Sequence, residues 1–339
     1  MKKFLIIQTA FIGDAILTLP MIEKLKESNP DSLIDVLSIP STEEIFKSSP
    51  FVNKVYVIDK KSKYKGFFSI FKFSKKLKKN NYTKIYSPHR SFRSAIIAKL
   101  INANESYSFS NSNFKFLYSD IINYNKDKHE VQRNLDLILH AYDEKSWKII
   151  PKLNIDDRSK NKVDDFFVNL EAKNKFAAIA SGSIWETKRY PQNYFVEIVR
   201  NLAADSFTVF LIGSKVDEKL CGSILENSGQ NVINVAGKFS LIESVYFLKR
   251  MDILIANDSA PTHLGVCADI PVLTIYCSTV QNFGFYPYNN KSSYISYDNL
   301  DCKPCGIHGF NNCPIKTFDC GNLLKPEKIL LKIKEMTNA

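Results

Sequence analysis

The chain has 339 residues, enough for two domains that each bury a core, and its 45% hydrophobic and 24% charged residues place it among globular proteins. No stretch reaches the roughly eighteen uninterrupted apolar residues of a membrane-spanning helix, and seven cysteines without a secretory signal argue against obligatory disulfides, so a cytoplasmic protein is expected. The formal charge of +11 invites an anionic partner, and the distribution of that charge matters more than its total.

The opening MKKFLIIQTAFIGDAILTLP has basic residues ahead of an apolar run, but Gln8, Asp14 and Pro20 interrupt it, so it reads as a strand, a turn and a helix of the mature fold. Next come the helix AILTLPMIEKLKE, strands LIDVLSI and KVYVI, a basic segment, strand KIYS, and helices FRSAIIAKLI and EVQRNLDLILHAY. From Lys60 to Lys79 there are nine lysines and no acid, interleaved with Tyr64, Phe67, Phe68, Phe71 and Phe73. One reading is a solvated amphipathic helix whose aromatics are core; the other is a patch facing phosphorylated lipid. Residues 144–175 are polar and charged and read as an interdomain link, which divides the chain into domains 1–160 and 161–339.

The second half repeats the pattern: strand FAAIA, loop SGSIWETKRYP, helix NYFVEIVRNLA, strand TVFLIG, helix DEKLCGSIL, strand NVINVAG, helix LIESVYFLKRM, strand ILIAND, helix THLGVCA and strand PVLTIY. Alternating strands and helices predict an α/β protein of two doubly wound halves with a cleft between them. Ligands bind such sheets outside the carboxyl ends of the strands, so the loops after FLIIQ, FAAIA and ILIA are where chemistry is expected.

A dinucleotide site would need GxGxxG after the first strand, and QTAFIGD offers only Gly13, which argues against NAD. Asp14 follows at the mouth of a helix, where a carboxylate either caps the first turn or serves the cleft. Residues 181–191 combine a small-residue turn with Lys188 and Arg189 ahead of a helix, a pairing that suits phosphate. NDSAPTH, residues 257–263, offers Asp258, Ser259 and Thr262 at another helix N-terminus, a second diphosphate seat; His263 alone reads as a structural histidine. Cys302, Cys305, Cys313 and Cys320 in the tail permit a structural four-thiolate zinc site, although the second pair is spaced more widely than in zinc ribbons.

Taken in order, IGDAILTLPMIEKLKESNPDSLIDVL, SPFVNKVYVID, HEVQRNLDLI, SGSIWETKRYPQNYFVEIVRNLA, NDSAPTHLGVCADIPVLTIYCSTVQNFGFYPY and the cysteine tail resemble the ADP-heptose:lipopolysaccharide heptosyltransferases of glycosyltransferase family 9. The STVQNFGFYPY stretch and the cysteines look most like heptosyltransferase II members. The resemblance implies a GT-B fold, two Rossmann-like domains facing a central cleft. It implies an inverting transfer with no cofactor and no metal in the chemical step. Asp14 would be the general base. Gly13 would lie with the acceptor, and Ser183, Thr187, Lys188, Asp217, Asp258, Ser259, Ala260 and His263 with the ADP-heptose donor. The acceptor would be the inner-core oligosaccharide on lipid A, reached as a peripheral protein at the cytoplasmic face of the inner membrane. Lys60, Lys61, Lys63 and Lys65 are expected to bind its phosphates or carboxylates.

Three departures bear on the substrate. Gln8 stands where many relatives carry Arg, Ala180 and Ser181 replace a frequent His-Pro pair, and Ala260 replaces the usual Gly. A same-family transferase using another nucleotide-sugar or glycan acceptor is therefore the nearest alternative. A basic nucleic-acid-binding α/β protein is the alternative of a different class, and no nucleic-acid motif supports it.

Overall fold

The computed structural model describes residues 1–59, 66–138, 146–168, 170 and 175–337, and divides into compact units Met1–Asn154 and Ile155–Ala339. In the first unit the strands are β1 (Lys3–Ile7), β2 (Leu33–Ser38), β3 (Lys54–Val57), β4 (Lys84–Tyr86), β5 (Glu105–Phe109) and β6 (Asp120–Ile122). Its helices are α1 (Ile12–Ser28), α2 (Glu43–Lys47), α3 (Phe67–Lys78), α4 (Phe92–Ile101) and α5 (Glu130–Asp136). In the second unit the strands are β7 (Lys175–Ala180), β8 (Phe207–Leu211), β9 (Val232–Asn234), β10 (Ile253–Asn257), β11 (Val272–Tyr276) and β12 (Ser293–Ser296). Its helices are α6 (Asp157–Val168), α7 (Gln192–Ala204), α8 (Glu218–Glu226), α9 (Leu241–Leu248), α10 (Ala260–Cys267), α11 (Asp319–Asn322) and α12 (Pro326–Thr337).

Among the described residues each unit has one six-stranded sheet, ordered β3-β2-β1-β4-β5-β6 and β12-β11-β10-β7-β8-β9, and every pairing is parallel. Counted from its own first strand, the second sheet has the same order as the first. Parallel sheets are covered on both faces, which is why β1, β8, β10 and β11 are nearly continuous Ile, Leu, Val and Phe rather than alternating. The order reverses between β1 and β4 in one sheet and between β7 and β10 in the other. Loops leaving those neighbouring strands part in opposite directions and open a crevice at the carboxyl ends.

Three features differ from the sequence reading. The division falls at Asn154/Ile155 rather than at 160/161, because the polar stretch read as a link holds α6. That helix packs Phe166 and Phe167 onto Phe210 and Phe247 of the second unit. Helix α5 ends at Asp136, and residues 139–142 of the expected helix lie outside the described residues. Strands β5, β6 and β12 were not legible: β5 and β12 are short and rich in Ser and Tyr rather than in aliphatic residues, and β6 is only three residues long.

Candidate active site

Each sheet gathers polar groups at its reversal point. In the first unit β1 ends at Ile7 and the chain turns through Gln8–Phe11 into α1, whose third residue is Asp14 and second is Gly13. Asp14 is half-buried. Its Oδ2 accepts the Phe11 N–H at 3.3 Å, the half of a capping box that a phenylalanine N-cap allows, and its other oxygen is not used by that cap. The cap and an available oxygen thus coexist. Burial pushes the Asp14 carboxyl up to about 6 and the charge of Glu130 pushes the same way, while Arg90 and the Phe11 N–H pull it down.

Glu130 reaches this place because α5 packs on α1, where Asn134 donates to the Leu17 carbonyl at 3.0 Å. It is buried beside an equally buried Arg133 at 2.9 Å, and both bond the Tyr124 hydroxyl, at 3.2 and 3.0 Å. Arg90 lies over the same Tyr124 ring, 4.5 Å from its centroid. Its neighbour His89 meets Thr9 at 2.8 Å and Ser94 at 3.0 Å, tying the loop after β4 to the turn after β1. The sequence reading overlooked His89, Arg90, Tyr124, Glu130 and Arg133. The signal available for two of them was SPHRS, directly after strand KIYS. Gln8, the departure from Arg, is turned inward: its amide donates to the Thr18 hydroxyl at 2.9 Å, so it braces α1 instead of offering charge.

In the second unit Lys188, in the loop after β7, pairs with Asp258, after β10, at 2.6 Å, and both side chains are mostly buried (13% and 11% exposed). Thr279 donates to the same carboxylate at 2.7 Å. Ser259 immediately precedes α10, its hydroxyl donating to the Asn257 carbonyl, and Ala260, Pro261 and Thr262 form the first turn. Pro261 has no N–H and the Thr262 N–H is taken by the Ser259 carbonyl, so Ser259 and Ala260 supply the donors at this end. His263 follows, buried, with no partner for Nδ1 among the described residues. Burial pushes its pKa down to about 4, Lys188 adds to that and Asp258 opposes it, so the imidazole is neutral at pH 7.

The arrangement is locked by Asn257, which accepts the Tyr190 N–H at 3.0 Å and donates to the Ser181 carbonyl at 2.8 Å, spanning the reversal point from β10 to the loop after β7. Thr187 is not presented to a ligand: its hydroxyl exchanges hydrogen bonds with the Phe310 backbone and accepts from Ser278 at 3.0 Å. Ser183 is half-buried in the same loop, and its carbonyl accepts from Arg189 at 2.8 Å. Asp217, after β8, caps Ser214 at 2.8 Å and packs so closely that a methyl on Gly182 would collide with its carboxylate.

Two expectations fare differently. Lys60, Lys61, Lys63 and Lys65 lie outside the described residues. The zinc expected of the tail is not supported, because no group of three or more His, Cys, Asp or Glu among the described residues is arranged to hold a metal ion. Cys320 is buried in the hydrophobic core and Cys302 is exposed, while the Cys305 N–H bonds the Ser278 carbonyl at 2.8 Å; burial pushes the Cys320 thiol up to about 11, and the charges of Cys305, Cys313 and Cys302 push the same way.

The sequence profile of glycosyltransferase family 9 (heptosyltransferase) matches residues 70–309. The chain is 23% identical to the lipooligosaccharide heptosyltransferase 2 of Campylobacter jejuni over 340 aligned residues, with 99% of each chain covered. Its fold is similar to that of a family 9 glycosyl transferase from Veillonella parvula, with a TM-score of 0.86 at 17% identity over 99% of this chain and 97% of that one. It is also similar to the E. coli ADP-heptose lipopolysaccharide heptosyltransferase II, with a TM-score of 0.79 at 19% identity over 99% and 98%. The two Rossmann-like units are thus those of a GT-B fold, and the chain belongs to glycosyltransferase family 9.

Proposed function

We propose that this chain transfers heptose from ADP-heptose to the inner core of lipopolysaccharide, inverting the anomeric centre by direct displacement with no metal in the chemical step. The observation that carries this reading is Asp14, a half-buried carboxylate at the reversal point of the first sheet with its pKa pushed up to about 6. Such a base is ionised at pH 7, yet more basic than an ordinary aspartate. It takes the proton of the acceptor hydroxyl as that oxygen attacks the anomeric carbon and ADP leaves from the opposite face. General base catalysis contributes ~10²–10⁴ in rate, or roughly 3 to 5.5 kcal/mol of barrier.

The first unit receives the acceptor, with Gly13 beside Asp14 in the first turn of α1. The second receives the donor. Support for that assignment is the pairing of the α10 N-terminus with Lys188, which Asp258 holds in place: fixed N–H groups and a cation stabilise the charge that grows on the departing diphosphate. His263, buried and neutral, backs this end of α10, and Asp217 is proposed to lie toward the ribose. Because the acceptor is anchored in lipid, the protein works as a peripheral protein at the cytoplasmic face of the inner membrane. Among the described residues no helix is long and apolar enough to cross it.

A second reading, the same chemistry with another nucleotide-sugar, is favoured by Ala260, whose methyl stands at the first residue of α10 where the resemblance led to a Gly being expected. ADP release from ADP-L-glycero-β-D-manno-heptose with a Kdo-lipid A acceptor decides. Wild type should turn over only with acceptor present, and Asp14→Asn should lose at least about a hundredfold. Turnover that survives the substitution leaves Asp14 as a helix cap alone, and turnover only with another donor selects the second reading.

A further inference from the structure

Between Gly66 and Asn104 the chain carries seven lysines and two arginines and no aspartate or glutamate, so this one stretch holds most of the formal +11 of the molecule. It comprises α3, β4 and α4. The two helices pack side by side and bury Ile70, Phe73 and Leu77 of α3 with Ala95 and Ala98 of α4 in one core cluster, which also takes in Tyr118. What they turn outward is both basic and aromatic. On α3, Phe68 is 90% exposed and Phe71 is also exposed, on the same helical face as the exposed Lys72 and Lys75. Phe92 begins α4, and its ring meets Phe114 edge to face at 6.4 Å, which meets Phe116 in the same way at 5.8 Å. Phe116 is 76% exposed, and Phe114 adopts a left-handed backbone (φ 54°), a conformation disfavoured for a bulky residue. Five exposed phenylalanines beside an acid-free cationic helix pair are not what a solvated surface requires.

We propose that this face of the first unit, α3 with the start of α4 and the Phe114–Phe116 turn, docks on a bilayer surface containing anionic phospholipid. Lysines whose amines carry no carboxylate partner among the described residues (Lys72, Lys75, Lys76) meet the headgroup phosphates. The exposed rings sit at the boundary between headgroups and acyl chains. Nucleic acid shares the negative charge but fits less well. Of the two arginines, Arg90 is stacked on Tyr124 and Arg93 lies 5.6 Å from the Phe92 ring, and it is the exposed lysines and phenylalanines that dominate this face. The choice of lipid as occupant rests on the proposed lipid-linked acceptor, whereas the surface itself does not depend on it.

The test is co-sedimentation of the full chain with phosphatidylcholine vesicles, with and without phosphatidylglycerol, at low and high salt. Wild type should bind the anionic vesicles and release them as salt rises. Lys72→Gln/Lys75→Gln/Lys76→Gln should weaken binding by about a hundredfold, at about fivefold per lysine. Phe68→Ser/Phe116→Ser should weaken it at unchanged charge. Both variants should match wild type in thermal unfolding and in transfer to a delipidated, soluble inner-core acceptor. Equal binding to neutral vesicles, no loss in either variant, or binding to plain duplex in preference to anionic vesicles overturns the docking face. Failure of transfer to the soluble acceptor by wild type, with vesicle binding intact, counts against the transferase reading and not against this one.

Discussion

The Asp14 carboxylate accepts the Phe11 N–H and still has its pKa pushed up to about 6, because burial and the charge of Glu130 outweigh Arg90 and the backbone N–H groups of Phe11 and Asp14. The rate should therefore fall as pH drops through about 6, where the base protonates. Glu130→Gln removes a like charge and leaves Arg133 cationic, and both effects favour the carboxylate. The acid limb of the kcat profile should move to lower pH, and an unmoved limb would show that Glu130 does not tune the base. Linkage gives a matching stability effect. A carboxyl whose folded pKa lies above its ordinary 3.8 holds its charge at the expense of the fold, fully above about 6 and not at all well below 3.8. Asp14→Asn should accordingly melt higher than wild type at pH 8, with the gap closing toward pH 3. Sequence alone pointed to Asp14 and left its role open between cap and base. The structure retains both because the cap uses a single oxygen.

At the scale of elements, the loops after β7 and β10 are stapled by Asn257, which is buried and whose amide carries two backbone hydrogen bonds. Asn257→Ala leaves the Tyr190 N–H and the Ser181 carbonyl without their partner, at about 1–3 kcal/mol for each buried group left unsatisfied. Urea unfolding should show that loss, and the donor KM should rise more than kcat falls, since Asn257 acts by holding Lys188 and its loop in position. An unchanged KM alongside reduced stability would restrict Asn257 to the fold. Helices and long aliphatic strands were legible because their period or composition is local. Helix α6 was not, since its residues are mostly polar and only the packing of Phe166 and Phe167 on Phe210 and Phe247 makes its apolar stripe evident. The tail cysteines only permitted zinc by their spacing, and among the described residues no group of three or more His, Cys, Asp or Glu is arranged to hold a metal ion.

For the whole molecule, each unit has its own sheet and hydrophobic core. The unit Ile155–Ala339 expressed alone should fold cooperatively and bind ADP, because Lys188, Asp258 and α10 all lie within it. Calorimetric titration with ADP tests this, and a folded unit without ADP binding would remove the diphosphate seat from these residues. Sequence by itself determined the α/β class, the doubled architecture, the family and the loops at the strand ends, because these follow from hydrophobic period and from short motifs whose members are neighbours in the chain. Only the tertiary structure decided that both sheets reverse at equivalent strands, that Glu130 and Arg90 bear on Asp14, that Lys188 pairs with Asp258, and that the cationic stretch turns its phenylalanines outward. Each of these depends on groups distant in sequence or on which side of a helix the core occupies, and burial and electrostatics act through space rather than along the chain.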